Sequence, residues 1–164
     1  MNLDVQDNSE QAHKLYLKSI ELLSRREHSA SELHTKLSRR FGDVEDLDAQ
    51  ISALITRLQE SGYQSDQRFA ESYARSRLSA GFGKKRIAME LNQKGIASDV
   101  AESALAEVFE ADLVDELSQL EVLWQKKFGK LPEDAKSRAK QMRFLVGRGF
   151  SFDQIQCLYD RLAH

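Results

Sequence analysis

A chain of 164 residues, 41% hydrophobic and 30% charged, has enough apolar mass for a buried core and no apolar run long enough to span a membrane. A single cysteine, Cys157, excludes an internal disulfide and fits a reducing compartment, while one proline and eight glycines leave long stretches without a helix breaker. The polar, acidic start MNLDVQDNSEQ lacks the apolar segment of an export signal, so a cytoplasmic protein is expected.

In chain order, residues 1–11 read as a polar tail, and helical spacing begins with segment 12–26. Segment 29–41 opens at Ser29, which stands with Glu32 in capping-box spacing. Segment 46–61 sets Ile51, Leu54, Ile55 and Leu58 on one face, and segment 65–80 carries Phe69 and Tyr73 with Arg68, Arg75 and Arg77. Segment 83–94 starts Gly83-Lys84-Lys85-Arg86, and segment 98–109 presents Ala101, Ala104, Leu105 and Val108. Leu113, Leu117, Leu120, Trp124 and Phe128 form the stripe of 112–128. In 132–147, Pro132 suits the first turn, and the apolar stripe is Ala135, Ala139, Met142 and Val146. The last segment, 151–163, has capping-box spacing at Ser151 and Gln154 and the stripe Ile155, Leu158, Tyr159 and Leu162, with Cys157 beside it as a packing residue. Gly62, Gly81, Gly95, Gly129 and Gly149 each follow a helical pattern and suit a left-handed cap. No stretch sustains period-2 alternation, so the fold class is all-α with nine helices.

The segments repeat. A shift of 54 residues aligns Leu37, Leu91 and Leu145, then Arg40, Lys94 and Arg148, then Leu15, Phe69 and Leu123. The third helix of the first unit needs a shift of 50, which four extra residues in the acidic stretch Gly42 to Asp48 explain. Three tandem three-helix repeats follow, over 12–62, 63–110 and 111–164, expected to form an elongated, curved helical strip. A turn of leucine, glycine, apolar residue and aspartate recurs as Leu58, Gly62, Tyr63, Asp66; Leu91, Gly95, Ile96, Asp99; and Leu145, Gly149, Phe150, Asp153. It reads as structure: the glycine caps, the apolar residue tucks back, and the aspartate sits at the next helix's positive end.

Net charge is −2, yet the charges are segregated. Residues 68–94 hold seven cations against Glu71 and Glu90, and residues 126–148 hold eight against Glu133 and Asp134. Residues 95–125 hold eight anions and no cation. Such blocks arise as solvated helix faces or as a basic stripe for a polyanion with an acidic face turned elsewhere. Catalytic constellations are absent. His13, His28, His34 and His164 form no metal-ligand spacing, and Gly81-Phe82-Gly83-Lys84-Lys85 lacks the phosphate-loop pattern. No enzyme, cofactor or metal is expected. The start of segment 83–94 remains a phosphate-binding candidate, because free amides, the helix dipole and three cations would converge there; a solvated basic cap fits equally well.

The stretch 62–96 also resembles the middle repeat of the RecX family of bacterial recombination regulators. The residues that carry this likeness are Gly62-Tyr63, Asp66, Arg68-Phe69, Arg75, Arg77, Gly81, Gly83, Arg86-Ile87, Glu90-Leu91 and Lys94-Gly95. LLSRREHSASELHTKL (22–37) and RFLVGRGFSFDQI (143–155) are similar to the outer repeats. The resemblance implies a non-enzymatic protein that binds the RecA–single-stranded-DNA filament in its groove, mainly as an inhibitor of ATP hydrolysis and strand exchange, with double-stranded DNA as a further candidate ligand. A monomer without membrane contact is expected. The residues expected to meet filament or DNA are Arg25, Arg26, Arg39, Arg40, Arg68, Arg75, Arg77, Lys84, Lys85, Arg86, Lys94 and Arg148, with Lys84 to Arg86 foremost. The competing readings are a stand-alone helical DNA-binding protein, which would bind naked DNA without RecA, and a helical scaffold whose charges only confer solubility.

Overall fold

The computed structural model describes residues 3–42, 45–111 and 115–163, and for residues 3–8 the backbone course alone. These residues form nine helices and no strand: α1 (Leu3–Arg25), α2 (Ala30–Phe41), α3 (Leu47–Glu60), α4 (Asp66–Ser79), α5 (Lys84–Gln93), α6 (Ser98–Ala111), α7 (Glu116–Lys127), α8 (Ala135–Gly147) and α9 (Phe152–Leu162). The all-α expectation and the helix count agree with this. Helix α1 starts at Leu3 rather than residue 12, so the expected tail is helical over most of its length, with no glycine or proline to break it. Leu113 and His164 lie outside the described residues.

Three separate apolar cores match the three triplets. Leu15, Leu33, Leu37, Ile51 and Leu58 build the first; Phe69, Ile87, Leu91 and Leu105 the second; Leu120, Trp124, Leu145, Ile155 and Leu158 the third. A fully buried leucine such as Leu33 stabilises its unit by about 1.5–3 kcal/mol. Among the described residues, every helix pair in extended contact lies within one triplet, as α4 with α6 and α2 with α3. Contact between triplets is therefore narrow, the arrangement of a repeat array.

The glycine turns form as expected. Gly62, Gly95 and Gly149 have φ of 73°, 79° and 97°, and the following N–H donates back to the leucine carbonyl: Tyr63 to Leu58 (2.8 Å), Ile96 to Leu91 (3.1 Å) and Phe150 to Leu145 (3.3 Å). Ile96 and Phe150 then tuck into their cores, but Tyr63 stays 55% exposed. The reason is position. Gly95 and Gly149 close the middle helices α5 and α8, inside their triplets, whereas Gly62 closes α3 and leads from one triplet to the next.

Helix α8 departs most from expectation. Its N-cap is Asp134, which accepts from Ser137 N–H at 2.6 Å in a capping box, so Pro132 precedes the helix instead of opening it. Its inner face is Gln141 and Leu145, while Ala135 and Ala139 are exposed and Val146 is 51% exposed. A buried glutamine is tolerated because both ends of its amide are hydrogen-bonded. Trp124 Nε1–H donates to Gln141 Oε1 at 2.8 Å, Tyr159 O–H donates to the same oxygen at 3.1 Å, and Gln141 Nε2 donates to Lys130 O at 3.0 Å. Cys157 is exposed, not a packing residue.

The units dock by one rule, used twice. The head of each middle helix receives the closing turn of the next unit's middle helix. At the first junction Ser29 Oγ, at the head of α2, donates to Lys94 O at the end of α5 (2.9 Å). At the second, Gly83 N–H, at the head of α5, donates to Arg148 O at the end of α8 (2.8 Å). Ser29 and Gly83, like Lys94 and Arg148, are 54 residues apart, so the sequence repeat is also a docking repeat. In each case an acid on the first residue of the next unit's first helix reaches the same helix head: Asp66 accepts from Ala30 N–H (2.8 Å), and Glu116 from Lys84 N–H (3.4 Å).

Candidate nucleic-acid interface

Long basic side chains need ordered partners if they are to present a fixed array, and aromatic faces and carboxylates supply them here. From the third unit to the first, the contacts run without a gap. Lys127 Nζ lies 5.5 Å from the Phe144 ring centre, and the Arg148 guanidinium lies 5.1 Å from the same ring and 4.5 Å from that of Phe82. Arg77 covers Phe82 at 3.6 Å and donates through Nε and Nη2 to the two oxygens of Glu90, both at 2.7 Å. Arg86 Nε and Tyr73 O–H donate to the same carboxylate at 2.8 and 2.9 Å. Lys94 Nζ stands 5.1 Å from the Tyr73 ring and 3.1 Å from Glu32, whose other oxygen takes Arg26 at 2.8 Å.

Six cations thus lie along one ribbon crossing all three units. Arg77, Arg86, Lys94 and Arg26 bind its two carboxylates, Lys127 and Arg148 meet its rings, and the six against two leave an excess of four positive charges. Glu90 is the hub. Burial alone would raise its pKa, but hydrogen bonds from Arg77, Arg86 and Tyr73 outweigh that and hold it at about 2. The same contact raises Arg77 further. Glu32 behaves alike: burial opposes ionisation, yet Arg26 and Lys94 keep its pKa below the usual carboxylate range. Beside the ribbon a groove of about 350 Å³ opens between the first two units, where Arg26 and Lys94 stand with Glu27 and Glu32 around Phe69 and Tyr73.

Five of the twelve expected residues, Arg26, Arg77, Arg86, Lys94 and Arg148, lie on this ribbon. Arg68 lies off it and pins the α3–α4 turn: its Nε donates to Glu27 at 2.9 Å and its Nη2 to the carbonyls of Gly62 (3.0 Å) and Tyr63 (3.2 Å). Arg25 pairs with Glu21 at 2.7 Å and Arg75 loosely with Glu71 at 3.6 Å. Arg39 and Arg40 are exposed at the end of α2, without an ion pair among the described residues.

At Lys84 to Arg86, where a phosphate cradle and a solvated basic cap fit the sequence equally well, the first amides meet protein. The head of α5 is filled by the next unit: Gly83 is buried against Gly149, the Gly83 and Lys84 amides are taken, and Arg86 turns back to Glu90. Only Lys84 and Lys85 remain exposed there. Lys127 was missed as a ribbon member. The 126–148 basic block was its signal, but a misassigned inner face of α8 left that block unsorted. Among the described residues no group of three or more His, Cys, Asp or Glu could hold a metal, and no helix is long and apolar enough to cross a membrane.

Comparison with known proteins agrees with this architecture. Residues 65–105 match the family model of the second three-helix domain of RecX, and residues 114–158 that of the third. The chain is 41% identical to the regulatory protein RecX of Chromobacterium violaceum, over 87% of this chain and 86% of that one. The chain belongs to the RecX family. It is likewise 44% identical to the RecX of Vibrio parahaemolyticus, over 84% of both chains. The crystal structure of RecX from Lactobacillus salivarius superposes with a TM-score of 0.77 at 27% identity, covering 94% of this chain and 98% of that one. RecX relatives are named regulatory proteins, and the three-helix domains of the family fall on the second and third units derived above.

Proposed function

We propose that this RecX-family chain is a non-enzymatic regulator of RecA, mainly an inhibitor, that lies as a monomeric strip along the RecA–single-stranded-DNA filament and restrains ATP hydrolysis and strand exchange. The observation that supports this reading is the ribbon. It runs through all three units, so a bound polyanion would be followed along the array rather than gripped at one point. The exposed anions of α6, Asp99, Glu102, Glu107 and Glu110, give the strip a second, acidic face suited to protein.

The test is single-stranded-DNA-dependent ATP hydrolysis by RecA, titrated with this protein. Suppression at substoichiometric amounts is expected. Arg77→Ala with Arg148→Ala, which removes both guanidiniums from Phe82, should weaken it roughly tenfold or more. No effect of the unaltered protein at equimolar amounts would sink the proposal and leave plain DNA binding as the alternative.

A further inference from the structure

The ribbon leaves the basic outer face of helix α8 unexplained. Helix α8 is the one helix of the nine with no acidic residue, and it carries Lys136, Arg138, Lys140 and Arg143. Arg138 is spoken for: it donates to Gln156 at 2.6 Å and lies over Tyr159 at 5.7 Å. The other three are exposed, and their side chains have no hydrogen bond, ion pair or ring contact among the described residues. At 3.6 residues per turn they fall within an arc of about 60°, along about 10 Å of helix. The nearest acids in sequence, Glu133 and Asp134, stand ahead of the helix, Asp134 as its cap on Ser137 N–H, and neither forms an ion pair with the three among the described residues.

The inner face of α8 is what produces this stripe. Because Gln141 and Leu145 face the core, Lys136, Lys140, Arg143 and Gly147 all point outward, flanked by the exposed small or apolar side chains of Ala139 and Val146. Three unneutralised cations so close together repel one another, and a partner that brings negative charge relieves the repulsion. A narrow, straight stripe fits a single line of regularly spaced anions.

We infer that the outer face of α8 is a second nucleic-acid contact, distinct from the ribbon, in which Lys136, Lys140 and Arg143 bind consecutive phosphates of one strand. The inference rests on the chain meeting nucleic acid, but it does not require RecA. The ribbon's cations are held by rings and carboxylates and present a fixed array. The α8 cations are free to track a flexible backbone.

The experiment is binding of a fluorescent oligodeoxythymidine by the full chain, without RecA, over a series of salt concentrations. In the variant Lys136→Ala, Lys140→Ala, Arg143→Ala, the slope of log affinity against log salt should become shallower by about 2, at roughly 0.7 per lost phosphate contact. Affinity at low salt should fall roughly tenfold or more. The charge-preserving variant Lys136→Arg, Lys140→Arg, Arg143→Lys should keep the wild-type slope, which separates charge from any effect on folding. An unchanged slope in the alanine variant, or no binding by the wild type at low salt, overturns the inference. The RecA titration reads the other proposal. A lost slope beside an inert titration sinks the regulator reading alone, and an unchanged slope beside full suppression sinks the α8 site alone.

Discussion

The helix head at the junction between the first and second units is met through side chains, whereas at the junction between the second and third backbone meets backbone, with Glu116, Gln119 and Arg148 adding side-chain contacts around it. At the first, the Ser29 hydroxyl, the Asp66 carboxylate, the Gln64 amide and the ion pairs Arg68–Glu27 and Lys94–Glu32 bridge the units. At the second, Gly83 N–H meets Arg148 O directly, and glycine faces glycine: a Cβ on Gly83 would stand 2.8 Å from Gly149 O. The same docking position therefore admits two chemistries. A serine can span the gap with its side chain, or a glycine can close it by letting the backbones touch. The first junction also holds a buried histidine, His28, where the second holds none among the described residues.

Breaking the backbone junction should have the largest effect. Gly149→Ala places a Cβ 2.5 Å from Arg86 Cβ at a φ of 97°, adding steric overlap to left-handed strain. A loss of about 3 kcal/mol is expected, read as a lowered chemical-denaturation midpoint; a change below about 1 kcal/mol would mean that the junction yields without cost.

Acid should open the other junction selectively. His28 is buried there, with its carbonyl accepting from Gln64 and its ring between Arg26 O (3.0 Å) and Lys36 Nζ (3.0 Å). Burial lowers its pKa below 6.5, so its contribution is complete above pH 6.5 and is lost as pH falls below that value. Glu32, lowered below 4.5, adds a second loss below pH 4.5. Hydrogen-exchange protection of Ala30 N–H should drop between pH 7 and 5 while that of Gly83 N–H holds. Equal losses at both amides would erase the distinction.

Ser29→Gly makes the sharpest and smallest comparison, since it gives the first junction the residue of the second. The cap on Glu32 N–H and the bond to Lys94 O are lost, but glycine is tolerated at a helix head. A cost of about 1 kcal/mol is expected by thermal unfolding; a cost equal to that of Gly149→Ala would show that the first junction cannot use backbone.

Much of the fold was legible because it rests on local chemistry. Left-handed glycines, hydroxyl caps at Ser29 and Ser151, and the 54-residue register are written in short stretches that need no distant partner. The site was only half legible, because a cation's role depends on what lies across from it. Arg77 and Arg86 meet over Glu90, and Arg148 reaches Phe82 from another unit; spacing along the chain contains neither fact. Gln141 misled in the opposite sense. The stripe read for α8, Ala135, Ala139, Met142 and Val146, does not include it, yet three hydrogen bonds draw it in and turn the basic face of α8 to the outside.

Trp124 is the one tryptophan of the chain, and it sits in the third core with its indole N–H bound to Gln141. Its emission therefore reports the last unit, while far-ultraviolet ellipticity sums helices from all three. In an array joined by such narrow junctions, the gap between those two melting curves is a direct gauge of how far one unit's unfolding is felt by the others.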